Sequence, residues 1–242
     1  MTKLMKPRFF IIFGWLGFIG PGMAGSIDWG TSVSDKLYDA DGAALTAAYQ
    51  FELGTFEAGF TPDASNTSLW EGKWRLIEKA DFNVPLQYVA ENSILTTSGP
   101  NLIWERDQTG DESAPLSNPT LFSPGEQVYV WAFSGKTINS TTQWSLATGN
   151  GATLDTDWQL TAGLGDPAAT TRGWRLSNAD TAVFGGLNNL QGAGDYRITP
   201  ASFTLQTALV MSPIPEPGIP VLLAVGTILS LRRRRPCIQN QP

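Results

Sequence analysis

Four times the chain writes Trp-x-Leu around a hydrophilic middle residue: Trp74-Arg75-Leu76, Trp144-Ser145-Leu146, Trp158-Gln159-Leu160 and Trp174-Arg175-Leu176. Residues two apart share a face only in a strand, so each copy buries its Trp and Leu together and turns the polar residue to solvent. The last three copies start at 144, 158 and 174, a spacing that suits successive strands with their turns. A row of tryptophans can also stack on sugar rings, but a leucine on the same face favours a packed core.

The rest of the central region reads the same way. Apolar or alternating runs at 45–53, 86–97, 128–133, 143–147, 157–160, 173–176, 182–184 and 202–210 are cut by Gly, Pro, Asn, Asp and Ser. Strands at this spacing predict an all-β fold, a single sandwich- or jelly-roll-like domain. In the last run Phe203, Leu205, Thr207 and Leu209 fall on one face and Thr204, Gln206 and Ala208 on the other. Only 68–80 reads as a helical turn, with Leu69, Leu76 and Ile77 loosely spaced.

The two ends differ from this middle. Lys3, Lys6 and Arg8 precede an uncharged apolar run from Phe9 to Gly20, and Gly22-Met23-Ala24 offers a cut after Ala24. That is the layout of a secretory signal peptide over 1–24, handled by the Sec translocon. At the other end, Pro215-Glu216-Pro217 leads into fourteen uncharged residues, Gly218 to Leu231, and then Arg232-Arg233-Arg234-Arg235. Fourteen residues make a helix of about 21 Å, short for a hydrocarbon core of about 30 Å, yet arginine stems snorkel and bilayers thin. The arginines hold that end in the cytoplasm, leaving residues 25–212 outside the inner membrane and 236–242 as a cytoplasmic tail.

Composition fits export. Seven of the 16 basic residues lie in 1–24 and 218–242, whereas all 22 acidic residues lie in the exported stretch 25–217. Nine basic against 22 acidic residues leave the exported part at −13, which argues against nucleic acid as a partner. The single cysteine, Cys237, follows the arginines, so no disulfide forms in the domain. Histidine is absent altogether, removing the commonest general base and zinc ligand.

Pro-Glu-Pro, a short apolar helix and an arginine cluster together resemble the PEP-CTERM sorting signal of Gram-negative bacteria, over residues 213–235. Seven further residues after the arginines depart from that pattern, which usually stops near the basic cluster. The resemblance implies processing by exosortase, a membrane-embedded cysteine protease or transpeptidase, and an association with exopolysaccharide. Glu216 is then part of a recognition sequence and not a catalyst. A second segment, Phe51 to Pro62 with Asn66, Trp70 and Trp74, is similar to the ectodomains of many PEP-CTERM proteins, as are Gly125 to Trp131 and Gln143-Trp144. This likeness implies no activity. Gly54 and Gly59 within it suit turns or bulges at a strand end.

No catalytic constellation stands out. Nucleophiles that depend on histidine are excluded, and the carboxylates Glu52, Glu57, Glu71, Glu78 and Asp81 remain for glycoside hydrolysis without any spacing that pairs them. Asp39-Ala40-Asp41 and Asp155-Thr156-Asp157 place carboxylates two apart, as calcium loops do, but also as ordinary Asx turns do. Asp39 does not open a full EF-hand, because position 50 is Gln. Asn66-Thr67-Ser68 and Asn139-Ser140-Thr141 match the glycosylation triplet. The expectation is a non-enzymatic structural or adhesive protein of the cell surface or exopolysaccharide matrix, with no cofactor unless calcium. A carbohydrate-binding module is the alternative, and a secreted carboxylate-dependent hydrolase a third reading.

Overall fold

The computed structural model describes residues 24–98, 101–105, 121–161 and 171–210. Within them the chain is all-β, as the period-two pattern predicts, with strands in three sheets. The central sheet is antiparallel. Its order is β12 (Thr181–Phe184), β10 (Gln143–Thr148), β9 (Tyr129–Phe133), β3 (Gln50–Phe56) and β4 (Trp74–Ala80). A short β16 (Ala208–Leu209) shares the outer edge of β10 with β12, one along each half of the strand.

A second sheet runs β11 (Arg172–Arg175), β1 (Ala24–Gly30), β6 (Tyr88–Ser98), β7 (Asn101–Glu105) and β8 (Leu121–Phe122). Its β5 (Phe82–Asn83) pairs with β6 beside β1, and β11 joins β1 in parallel. The third and smallest sheet is β14 (Leu190–Gln191), β13 (Gly186–Leu187), β15 (Leu205–Gln206) and β2 (Leu37–Tyr38).

Both faces of the central sheet are covered. On one, Phe51, Leu53, Val130, Ala132 and Ala147 meet Ile27, Trp29, Val89 and Trp174 of the second sheet and Leu37, Leu187 and Leu205 of the third. On the other lies an aromatic layer of Phe56, Trp131, Phe133, Trp144 and Phe184, closed by Trp70 from the single-turn helix α1 (Trp70–Lys73). Trp70 stacks on Trp144 with centroids 5.4 Å apart, and Trp131 meets Trp144 edge-on at 4.9 Å. Each fully buried tryptophan contributes on the order of 4–6 kcal/mol of hydrophobic free energy as an upper bound.

The Trp-x-Leu copies at 144, 158 and 174 bury both their Trp and their Leu, so these tryptophans are core. Their middle residues do not all reach solvent. Ser145 is fully buried, because β10 has a core on each side. In the fourth copy Trp74 and Leu76 are half-buried, and Ile77 is skipped by the pairing as Leu53 meets Glu78 and Gly54 meets Leu76. Gly54 sits at this bulge because the Trp74 indole lies on it. A Cβ there would come within 2.5 Å of the ring.

Other boundaries moved for local reasons. The predicted 86–97 strand begins at Tyr88, since Val84–Leu86 is a 3₁₀ turn capped by the Asn83 side chain, with Gln87 left-handed. The 45–53 run becomes a strand only from Gln50, after a turn in which Tyr49 N–H donates to the Thr46 carbonyl. The 157–160 run forms only isolated bridges, to Asn150 and Gln127. The 202–210 run breaks at Thr207, where the chain leaves the third sheet for the central one, and both of its faces are buried. The 68–80 stretch is helical for one turn and then becomes β4. Sequence reading missed β1, whose first residue, Ala24, pairs with Thr96. The expected C-terminal helix lies outside the described residues, and among those described no helix is long and apolar enough to cross a membrane.

Candidate functional site

Strands β3 and β9 pair until Gly54 meets Tyr129, and there the two chains diverge. Beyond Phe56 the chain turns through Glu57, Ala58 and Gly59, with Phe60 N–H donating to the Glu57 carbonyl at 2.9 Å. Before Tyr129 it turns through Ser123 to Glu126, the Glu126 carboxylate accepting from Ser123 N–H at 3.0 Å. Gly59 and Gly125 hold φ of +82° and +91°, a region that only glycine enters freely. These two turns form the walls of a cleft of about 370 Å³, lined by residues 56–60, 124–127 and Tyr129.

The cleft has an aromatic floor and an acidic rim. The rings of Phe56 and Tyr129 meet edge-on at 5.5 Å, and Phe60 lies 5.2 Å from Phe56. Burial pushes the Tyr129 phenol above its ordinary pKa, and its hydroxyl makes no hydrogen bond to any described residue. Glu57 is 48% exposed and takes Lys73 Nζ at 2.7 Å on one oxygen. Glu126 is held harder, by Arg75 at 2.8 Å and the Thr55 hydroxyl at 3.2 Å.

Behind the cleft the aromatic layer carries one buried carboxylate. Glu52, 1% exposed, accepts from the Trp74 indole N–H at 2.8 Å and Lys136 Nζ at 2.6 Å, with Lys79 Nζ at 3.5 Å. Lys136 also lies over the Trp131 ring. Three donors around one carboxylate make this a structural ion cluster, closed to a substrate.

The remaining candidates fall into ordinary roles. Asp39 Oδ1 accepts from Asp41 N–H and Ala43 N–H, both at 2.9 Å, which is Asx-turn chemistry, and Asp41 pairs with Arg197 at 3.1 Å. Asp155 Oδ1 accepts from Gly173 N–H, and the charges of Asp155 and Asp157 act on the nearby Arg172. Each Asp-x-Asp pair thus faces an arginine that a calcium ion would have to oppose. Among the described residues no three of Cys, Asp and Glu gather as metal ligands. Asn66 is spent inside the fold, its amide donating to the Thr61 carbonyl and accepting from the Trp70 indole, which fixes α1 over the aromatic layer.

Of the carboxylates picked out for glycoside hydrolysis, only Glu57 lines the cleft. Its companion there is Glu126, which sequence reading passed over although it lies in the segment Gly125 to Trp131 singled out for its likeness. The two segments marked by that likeness, 51–62 and 125–131, are the neighbouring strands and turns that build this one cleft. Of the residues expected to mark cleavage and sorting, Ala24 opens β1, so a cut after it would leave Gly25 paired with Leu95. Pro215, Glu216, Pro217 and Arg232, Arg233, Arg234 and Arg235 lie outside the described residues. No family model, no curated protein and no solved structure matches this chain.

Proposed function

We propose that the chain is an exported, non-enzymatic component of the cell surface or exopolysaccharide matrix, of structural or adhesive role. One observation carries the reading: Pro215-Glu216-Pro217, the uncharged run 218–231 and Arg232 to Arg235 stand in sorting-signal order behind an N-terminal leader. The leader directs the Sec translocon and the C-terminal run holds the precursor in the inner membrane with the arginines inside. Exosortase then cuts near Pro215-Glu216-Pro217, and the β domain reaches the surface or matrix. On this reading the domain is a sandwich- or jelly-roll-like unit, stable without metal or disulfide. What supports that part is the all-β chain with apolar cores on both sides of its central sheet.

The test is fractionation of the producing cell after Arg232 to Arg235 are replaced by Gln. Membrane-held precursor should fall and the processed form should diminish, because these charges fix the orientation of the tail. An unchanged distribution of the two forms defeats the sorting reading. The carbohydrate-binding alternative cannot rest on Trp144, Trp158 or Trp174, which are all buried. The observation that favours it is the aromatic-floored cleft.

A further inference from the structure

We infer that the cleft between the 56–60 and 124–129 segments is a binding site for neutral hexopyranose units of a polysaccharide. This rests on the surface or matrix reading for its biological sense, but the chemistry is argued from the site. A pyranose ring has an apolar C–H face and a rim of hydroxyls. The cleft offers the complement of both.

Phe60 and Tyr129 are half-buried, keeping part of each ring open to the cleft for the C–H face. Tyr is suited to this, being apolar along its body and polar at its tip. The Tyr129 hydroxyl is free of partners among the described residues, and so is Glu57 Oε1, since Lys73 bonds Oε2. One is a donor and acceptor and the other a strong acceptor, the pair a sugar hydroxyl needs. A volume of about 370 Å³ lies at the lower end of the roughly 300–1,000 Å³ typical of small-ligand sites, room for one or two sugar units rather than a long groove.

Charge selects among sugars. The exported part carries −13, and the cleft's own Glu57 and Glu126 are each matched by one cation, Lys73 and Arg75. Among the described residues no spare cation lines the cleft to receive a uronate or sulfate. Anionic polymers are repelled at range and unpaired at contact, so neutral chains remain. A lipid or other wholly apolar ligand would bury two carboxylates away from water, a cost of several kcal/mol that excludes it.

The experiment is titration calorimetry on the full chain in mild detergent. The neutral probes are cellohexaose and mannohexaose, and hexagalacturonate is the anionic one. Two variants locate the site. Ala58 is exposed at the cleft wall, so Ala58→Trp fills the cleft without touching the core. Tyr129→Phe keeps the ring and removes only the hydroxyl. At least one neutral hexaose should bind, Ala58→Trp should abolish the heat, and Tyr129→Phe should raise Kd by about three- to tenfold, as loss of one hydrogen bond does. Melts equal to the parent confirm that both variants are folded, and if Ala58→Trp melts early, Tyr129→Phe decides alone. Three results overturn the assignment. They are no heat with either neutral hexaose up to about 10 mM, binding indifferent to both variants, and tighter binding of hexagalacturonate. None of these touches precursor fractionation, so a chain that sorts normally but binds no neutral hexaose sinks the cleft and leaves the sorting reading standing.

Discussion

Replacing Gln143 by Leu should cost about 3–6 kcal/mol, more than its size suggests, because one buried oxygen serves three donors. Gln143 opens β10, and its Oε1 accepts from the Tyr49 hydroxyl at 2.9 Å, Ala40 N–H at 2.8 Å and the Thr207 hydroxyl at 2.8 Å. These donors come from two segments distant in sequence, Ala40 and Tyr49 on one side and Thr207 on the other, so this amide ties the 40–49 loop to the crossing from the third sheet to the central one. Leucine restores the volume but takes the shared acceptor from all three donors where water does not reach. Each orphan costs about 1–3 kcal/mol, and part of the total is recovered by burying a more apolar side chain. Against a total stability of about 5–15 kcal/mol, the variant should be largely unfolded by mild denaturant. The assay is equilibrium urea unfolding of parent, Gln143→Leu, Tyr49→Phe and the double variant. Tyr49→Phe removes one donor and leaves the acceptor two others, so it should cost only about 1 kcal/mol alone and less once Gln143→Leu has already removed the acceptor. A Gln143→Leu stability within about 1 kcal/mol of the parent at equal slope would show that the hub is not a source of stability.

The same tyrosine predicts how stability depends on alkali. Burial pushes the Tyr49 phenol up from its ordinary value of 10.0 to about 12. A raised folded pKa means its contribution is complete below pH 10 and is lost as pH climbs from there through about 12, by about 1–2 kcal/mol once solvent screening is allowed for. Tyr49→Phe should flatten that decline, and a decline of equal depth in the variant would refute the assignment. Calcium is addressed by the arginines: with Arg197 on Asp41 and Arg172 beside Asp155 and Asp157, the thermal melt should not move with EGTA. A melt that drops with chelator and recovers with calcium would turn those aspartates from turn formers into ligands and shift the function towards calcium-dependent adhesion.

Fold class was legible because Trp-x-Leu at period two puts both large side chains on one face of a strand, and on no single face of a helix. What misled was the assumption that the polar middle residue marks a solvent face. Ser145 lies between Trp144 and Leu146 on one side of β10 and shares its other side with Ala147, so both faces are core. The signal for this was present in β9, where Tyr129-Val130-Trp131-Ala132-Phe133 is unbroken by any charged or amide residue. A continuous apolar run marks a strand buried on both sides. Short strands fared worst. The 157–160 run carries the right residues but makes only single bridges, and the 202–210 run changes sheets midway, because neighbours available in space decide pairing and local pattern does not.

The cleft was half legible for a related reason. Glu57 and Phe60 belong to one segment and Glu126 and Tyr129 to another, and the Thr55–Glu126 hydrogen bond spans 71 positions of sequence. No spacing rule joins such segments. Their union depends on β3 choosing β9 as its neighbour and on the register that sets Gly54 opposite Tyr129. A slip of one residue in that ladder would exchange the faces of β3. Glu52 would then turn towards the apolar core of Phe51 and Leu53, away from Lys136 and the Trp74 indole. A buried carboxylate without partners costs several kcal/mol, so Glu52 acts against the wrong register as well as for the right one. The ion cluster behind the cleft and the cleft itself are therefore one arrangement, in which a charge committed to the central sheet fixes where its two open turns must meet.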